Sequence, residues 1–158
     1  EKYSKYLSLN VQMNAGNMGY NTLSKYSRAD YVSITEGELR LDSQERYENL
    51  EKLISYTSDR LGTSMFSVTQ GGDGCVVKSK KNALAEIPAI IAKDEVVDRV
   101  GAGDVFFAVT SLLASLNAPP DVLGLIGNVV AADSVRSIGT GARIKRVNTI
   151  RSLATLLK

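Results

Sequence analysis

The sequence predicts an α/β fold: a mainly parallel sheet with helices on its faces, a β-hairpin extension and a helical C-terminal part. Three observations predict it. Up to residue 69, short apolar stretches of period two alternate with a stretch of helical spacing, the pattern of strand–helix–strand units feeding a parallel sheet. The glycine cluster Gly71-Gly72-Asp73-Gly74 joins two apolar runs, which suits a tight turn between neighbouring strands. From residue 102 onward the periodicity becomes helical.

The first strand covers 6–13, where Leu7, Leu9, Val11 and Met13 alternate with Ser8, Asn10 and Gln12. Asn14-Ala15-Gly16-Asn17 is a loop, a short helix spans 20–26, and the next strand spans 31–35. Asp42 with Glu45 three residues on reads as a capping box. Behind it Tyr47, Leu50, Ile54 and Leu61 recur at helical spacing. That helix is expected to cross over to a strand at 65–69. Residues 75–77 and 84–91, the latter carrying Pro88, complete the strands.

Three helices follow: 102–116, stopped at Asn117-Ala118-Pro119-Pro120, then 121–137, then 148–157 with Asn148 as N-cap. Between Val105 and Leu116 only Thr110, Ser111 and Ser115 interrupt the apolar residues, so the first of these helices is expected to be deeply buried. The second mixes Gly124, Gly127, Ala131 and Ala132 among Leu and Val. Small residues there suit either close packing or the approach of a flat ligand.

Composition bounds the chemistry. The chain has 158 residues, 44% of them hydrophobic, enough for one sizeable core and one domain. Its 19 basic and 17 acidic residues are interspersed and leave a net charge of +2, so no basic stripe points to nucleic acid or an anionic membrane. There is no histidine, which excludes imidazole bases and His-dependent triads from this segment and leaves carboxylates as the candidate bases. The single cysteine, Cys75, can form neither an internal disulfide nor a zinc site, and reads as a small buried residue in a reducing compartment. Apolar stretches end well short of the roughly 18 residues of a membrane span, and a soluble, cytoplasmic protein is expected.

The most informative run is Val97-Asp98-Arg99-Val100-Gly101-Ala102-Gly103-Asp104-Val105-Phe106-Phe107. It sets two glycines and a carboxylate where an extended approach gives way to a helix. A helix N-terminus presents unpaired N–H groups and a partial positive charge, and glycine lets a ligand come close to them. Asp104 then stands beside whatever the amides bind. A dinucleotide-binding turn fits poorly, because residue 106 is Phe where the third glycine belongs and no strand–helix–strand unit follows.

Asp98 followed by Gly101-Ala102-Gly103-Asp104 and the aromatic Phe106 resembles the Asp-Thr-x-Gly-Ala-Gly-Asp-x-Phe signature of the ribokinase-like (PfkB) carbohydrate kinases. Val68-Thr69-Gln70-Gly71-Gly72-Asp73-Gly74-Cys75 is similar to the family's Thr-x-Gly-x-x-Gly turn at a strand end, beside the nucleotide phosphates and ribose. Thr35-Glu36-Gly37-Glu38 resembles the Asn-x-x-Glu motif, with Thr35 in the place of Asn and Glu38 retained. Asn128-Val129-Val130-Ala131-Ala132 is similar to the helix that walls the adenine pocket. Arg99-Val100 replaces the commoner Thr pair and, with Asn14-Ala15-Gly16-Asn17, resembles the heptose-kinase or keto-sugar-acid-kinase branch.

The resemblance implies a ribokinase-like three-layer α/β/α fold and ATP-dependent phosphorylation of a sugar hydroxyl. Asp104 would be the general base, and the amides of Ala102, Gly103 and Asp104 behind Gly101 would hold the developing charge. It also implies that Thr69, Gly71 and Gly74 shape the phosphate and ribose edge, that Asn128, Ala131 and Gly141 border the base, and that Glu38 serves the magnesium ion. The expected partners are a sugar and ATP with Mg2+, and a second copy or a fused domain, with neither nucleic acid nor membrane. The whole chain is expected to be the C-terminal portion of one kinase domain, without the N-terminal sugar-binding half and lid, and inactive alone. The alternative is a non-catalytic nucleotide-binding or regulatory module derived from such a kinase.

Overall fold

The computed structural model describes residues 4–13, 16, 18–81, 84–136, 138 and 145–158. Five strands, β1 Ser8–Leu9, β2 Tyr31–Thr35, β3 Met65–Thr69, β4 Cys75–Ser79 and β5 Leu84–Ile87, form one sheet in sequential order. β1, β2 and β3 run parallel, and β4 and β5 are added antiparallel as the hairpin extension. The helices are α1 Glu36–Ser43, α2 Leu50–Leu61, α3 Ala102–Ser115, α4 Pro120–Val135 and α5 Arg146–Leu156.

Strand alternation sorts the side chains into two cores, one on each sheet face. Val32 and Ile34 of β2 and Phe66 and Val68 of β3 join Leu39 of α1 and Leu53, Ile54 and Leu61 of α2. The intervening residues Tyr31, Met65, Cys75 and Val77 point the other way, against Phe106 and Ala114 of α3 and Leu123 of α4. The result is a three-layer α/β/α sandwich.

The second core is partly polar. The buried Tyr31 hydroxyl donates to Thr110 Oγ1 at 2.7 Å and shares a hydrogen bond of 2.9 Å with Ser67 Oγ. Thr110 in turn donates to the Phe106 carbonyl at 2.7 Å. This hydroxyl chain stitches α3 to the middle of β2 and β3, and burial pushes the Tyr31 phenol up to about 12.

The helical region expected behind Asp42 is instead two helices. Thr35 caps α1 in a capping box with Glu38, α1 ends at a left-handed Gln44, and Asn49 caps α2 by accepting from the Lys52 amide. Asp42 is not a cap. Its carboxylate accepts from the Ser24 amide at 2.7 Å and pairs with Arg60 at 3.0 Å. Only Ser8–Leu9 of the expected first strand pairs in the sheet, and the strand expected to reach residue 91 ends at Ile87. The last helix starts at Arg146, so Asn148 lies inside it and does not cap it.

α3 is buried along one stripe, Phe106, Thr110 and Ala114, while Leu112 and Leu116 are 67% and 77% exposed. The expectation of burial all round is therefore corrected: within this chain α4 and one sheet face cover α3 along one side and leave the other side open. The small residues of α4 serve close packing. A Cβ on Gly127 would collide with the Phe106 ring, and one on Gly124 with the side chains of Ile87 and Val77.

Candidate active site

Parallel strands β2 and β3 end together at Thr35 and Thr69, which are register partners. α3 packs back on the same sheet with its N-terminus at that end, and the carboxyl edge of a parallel sheet is where α/β folds place ligands. A pocket of about 160 Å³ opens there, lined by Asn10, Val11, Gln12, Ser33, Ile34, Thr35, Glu38, Thr69, Gly101, Gly103 and Asp104. The fold thus brings Glu38, Thr69 and Asp104, far apart in sequence, to one cavity.

The N-terminus of α3 is built by a backbone device. Gly101 adopts a left-handed conformation with φ +82 and serves as N-cap without any side chain; this is the position where a residue with a Cβ is strained. Gly103 has no such φ, and a Cβ there meets nothing within 4 Å. The need for a special backbone conformation therefore belongs to Gly101, while Gly103 keeps the space in front of the helix end clear. The Ala102 amide already makes a long contact of 3.4 Å to the Arg99 carbonyl. Among the described residues the Gly103 and Asp104 amides have no acceptor, which makes them the two strongest donors toward an anion.

The loop before α3 is held from behind. The Val97 and Asp98 amides donate to the Val135 carbonyl at the end of α4, and Asp98 Oδ1 accepts from the Val100 amide at 2.9 Å. Glu38 is tied down as well: Oε2 accepts from the Thr35 amide at 2.7 Å and the Thr35 hydroxyl at 2.9 Å, and Oε1 from the Met13 amide at 3.1 Å. A carboxylate offers about four lone-pair positions, so these three bonds leave one. A hard oxygen of this kind fits a magnesium ion that keeps most of its waters. Among the described residues no cluster of three His, Cys, Asp or Glu could hold a metal by itself.

The remaining predicted residues divide. Gly71 and Gly74 form the turn that closes β3 to β4, with φ +60 and +104, and a Cβ on Gly74 would collide with the Ile87 carbonyl oxygen. Gln70 beside them donates to Glu36 Oε2 at 2.9 Å, and this bond, with Arg40, lowers the Glu36 pKa. Asn128 is buried and its amide nitrogen donates to the Ile87 and Pro88 carbonyls at 3.1 and 2.9 Å. Ala131 packs against the core under α3 and α4. Neither borders the pocket at Asp104. Gly141 lies outside the described residues.

Sequence reasoning did not single out Asn10, Gln12 and Ser33. For Asn10 and Gln12 the available signal was the polar half of the period-two pattern that runs past the end of β1, and Ser33 lies within β2. A larger groove of about 310 Å³ between α4 and α5 is lined by Val129 and Ala132 of the 128–132 segment, with Ile90, Asp133, Arg136 and Arg151 among others, while Asn128 and Ala131 are not in its lining.

A family model described as pfkB family carbohydrate kinase matches residues 16–146. The chain belongs to the pfkB family of carbohydrate kinases. Among solved structures it resembles ribokinase from Thermotoga maritima, at 25% identity and a TM-score of 0.67 over 80% of this chain and 42% of that one. Phosphofructokinase-2 from Escherichia coli in complex with potassium is 16% identical with a TM-score of 0.72, over 84% of this chain and 42% of that one. Arabidopsis thaliana ribokinase complexed with ribose and ATP is 22% identical with a TM-score of 0.69, over 79% and 41% of the two chains. The last two likenesses concern the fold alone. This pfkB chain thus spans about two-fifths of the length of the solved relatives. No curated protein matches it. Among the described residues no helix is long and apolar enough to cross a membrane.

Proposed function

We propose that this chain is the nucleotide-side, C-terminal portion of a carbohydrate kinase domain that transfers the γ-phosphoryl group of ATP to a sugar hydroxyl. The observation that carries the reading is the single pocket in which Asp104, Glu38, Thr69 and the glycines of the α3 N-terminus converge. The exposed Asp104 carboxylate accepts the proton of the acceptor hydroxyl. The oxygen then bonds to the γ-phosphorus as the bond to the β-phosphate oxygen breaks and ADP leaves. The Gly103 and Asp104 amides, with Ala102 behind them, donate to the phosphoryl oxygens as their charge shifts. Most of the acceleration is positioning and fixed electrostatics.

Thr69 and the Gly71–Gly74 turn border the phosphate and ribose. Glu38 would hold magnesium through water, and the ion when bound offsets the phosphate charge. Thr35 in the family's Asn position keeps a role in this scheme: its hydroxyl fixes the Glu38 rotamer. The heptose or keto-sugar-acid branch suggested by Arg99-Val100 and the 14–17 segment remains part of this proposal, and Asn128 and Ala131 would border the base.

The complete gene product, assayed with ATP, Mg2+ and a sugar panel, is expected to phosphorylate a sugar. Asp104→Asn is expected to lower kcat about 10²–10⁴-fold while ATP affinity, read by calorimetry, stays within about twofold. Wild-type protein that binds ATP and phosphorylates nothing would favour the non-catalytic module instead.

A further inference from the structure

We propose that Gln70 and Glu36 are positioning residues: their hydrogen bond clamps the Gly71–Gly74 turn to the first turn of α1 and so holds the nucleotide edge of the site in register with Glu38. This rests on the kinase reading above. Thr35 and Thr69 are the last register partners of the parallel strands β2 and β3. Directly beyond them the two chains part, one entering α1 and the other the turn. At that fork Gln70 Nε2 donates to Glu36 Oε2 at 2.9 Å, which extends the strand pairing by one step through side chains. Both residues occupy unspecified positions of Asn-x-x-Glu and Thr-x-Gly-x-x-Gly, so the two motifs do not themselves require the link.

Each end of the link is anchored. Glu36 Oε1 accepts from Arg40 Nε and pairs with Arg40 Nη2, both at 2.8 Å. Arg40 Nη1 in turn donates to the Arg46 and Glu48 carbonyls at 3.1 and 2.9 Å, so the carboxylate is held by a guanidinium fixed to the connection between α1 and α2. The hydrogen bond from Gln70, with Arg40, holds the Glu36 carboxyl below its ordinary value against the opposing effect of burial, and an ionised acceptor makes the stronger kind of hydrogen bond. At the other end the Gln70 amide donates to the Gly74 carbonyl at 2.8 Å and the Gln70 carbonyl accepts from the Asp73 amide at 3.2 Å. The residue that reaches α1 therefore also closes the turn. The same first turn of α1 presents Glu38 to the pocket through its bonds with Thr35. Neither Glu36 nor Gln70 lines that pocket, so both act on it through the backbone they hold. A glycine-rich turn is conformationally free; fixing it before ATP arrives lowers the ordering cost of binding, and loss of the clamp should appear in affinity.

The test is calorimetric titration of the complete gene product with ATP in the presence of Mg2+. Gln70→Ala is expected to weaken ATP binding about 10-fold, the loss of one charge-assisted hydrogen bond. Gln70→Glu sets two carboxylates face to face and should weaken it further. Adding Glu36→Gln to Gln70→Glu reverses the pair: the amide introduced at position 36 donates to the carboxylate at position 70, and its oxygen still accepts from Arg40. This exchange should return ATP affinity to within about threefold of wild type, a recovery that neither general loss of folding nor repulsion of ATP by a new charge at position 70 would allow. Unchanged ATP affinity in Gln70→Ala overturns the inference and leaves the kinase reading standing, as does an exchange that restores nothing. Wild-type protein that binds no ATP overturns the kinase reading and this inference with it.

Discussion

The N-terminus of α3 and the middle of α4 are both rich in glycine and alanine, and they use those residues for opposite purposes. At Gly103 the missing side chain leaves open space in front of two unpaired amides, whereas at Gly127 the same absence is filled by the Phe106 ring. Sequence treats the two alike, because a glycine in a helix carries no mark of what stands opposite it. The difference teaches that a small residue marks a ligand site only where the volume it vacates stays empty and polar groups face it.

That comparison can be broken most sharply at α4. Gly127→Val must push against a fully buried Phe106, and overpacking of this kind costs about 3 kcal/mol. A Tm lowered by roughly 6–12 °C is expected for a chain of this size, read by calorimetry or circular dichroism. A variant that melts with the wild type would mean that α4 does not pack as described.

The next effect concerns the strut that holds α3 at its height above the sheet. Tyr31→Phe leaves the buried Ser67 and Thr110 hydroxyls short of a partner and is expected to cost about 1–3 kcal/mol. Its pH dependence carries a sign. The folded phenol is raised to about 12 from 10.0 and the Cys75 thiol to about 12 from 9.0, burial being the main cause in each case. Both groups stabilise the fold fully below the unfolded values and lose that contribution as pH rises toward 12. Denaturant titrations should therefore show stability falling from about pH 9 upward, and less steeply in Tyr31→Phe. An equally steep decline in the variant would remove Tyr31 from the explanation.

The smallest effect sharpens the other half of the comparison. Gly103→Ala has neither strain nor collision to overcome, so its stability should stay within about 1 kcal/mol of wild type. Its new methyl group stands where a phosphate would approach, and ATP affinity should fall at least about 10-fold, or ~1.4 kcal/mol. Calorimetric titration decides this. Normal affinity would move the anion site away from Gly103. Gly101→Ala is the counterpart, expected to lose about 1–2 kcal/mol of stability through its left-handed backbone.

Much of the framework was legible because it is local. The strands expected at 31–35 and 65–69 form with those bounds, and their alternate side chains enter the two cores. The change from extended to helical pattern around Gly101 located the N-terminus of α3 to within a residue. The helix start after Thr35 was missed because Thr35 with Glu38 and Asp42 with Glu45 have the same spacing. Only the fold shows that the Asp42 carboxylate is engaged by the Ser24 amide and Arg60. Burial of α3 was overestimated because hydrophobicity states what a face favours and not whether a partner covers it.

By itself the sequence determined the class of the fold, the order of its strands, the three C-terminal helices, and the carboxylate and glycines at the head of α3, since each depends on contacts within a few residues. The tertiary structure decided which distant groups share the pocket with Asp104, which glycine carries the strained φ, and that the Asn128 amide is engaged by the Ile87 and Pro88 carbonyls. Those outcomes depend on where strand ends meet a helix end in space. A side chain's own chemistry is the same in every such setting, so it cannot announce which one it will occupy.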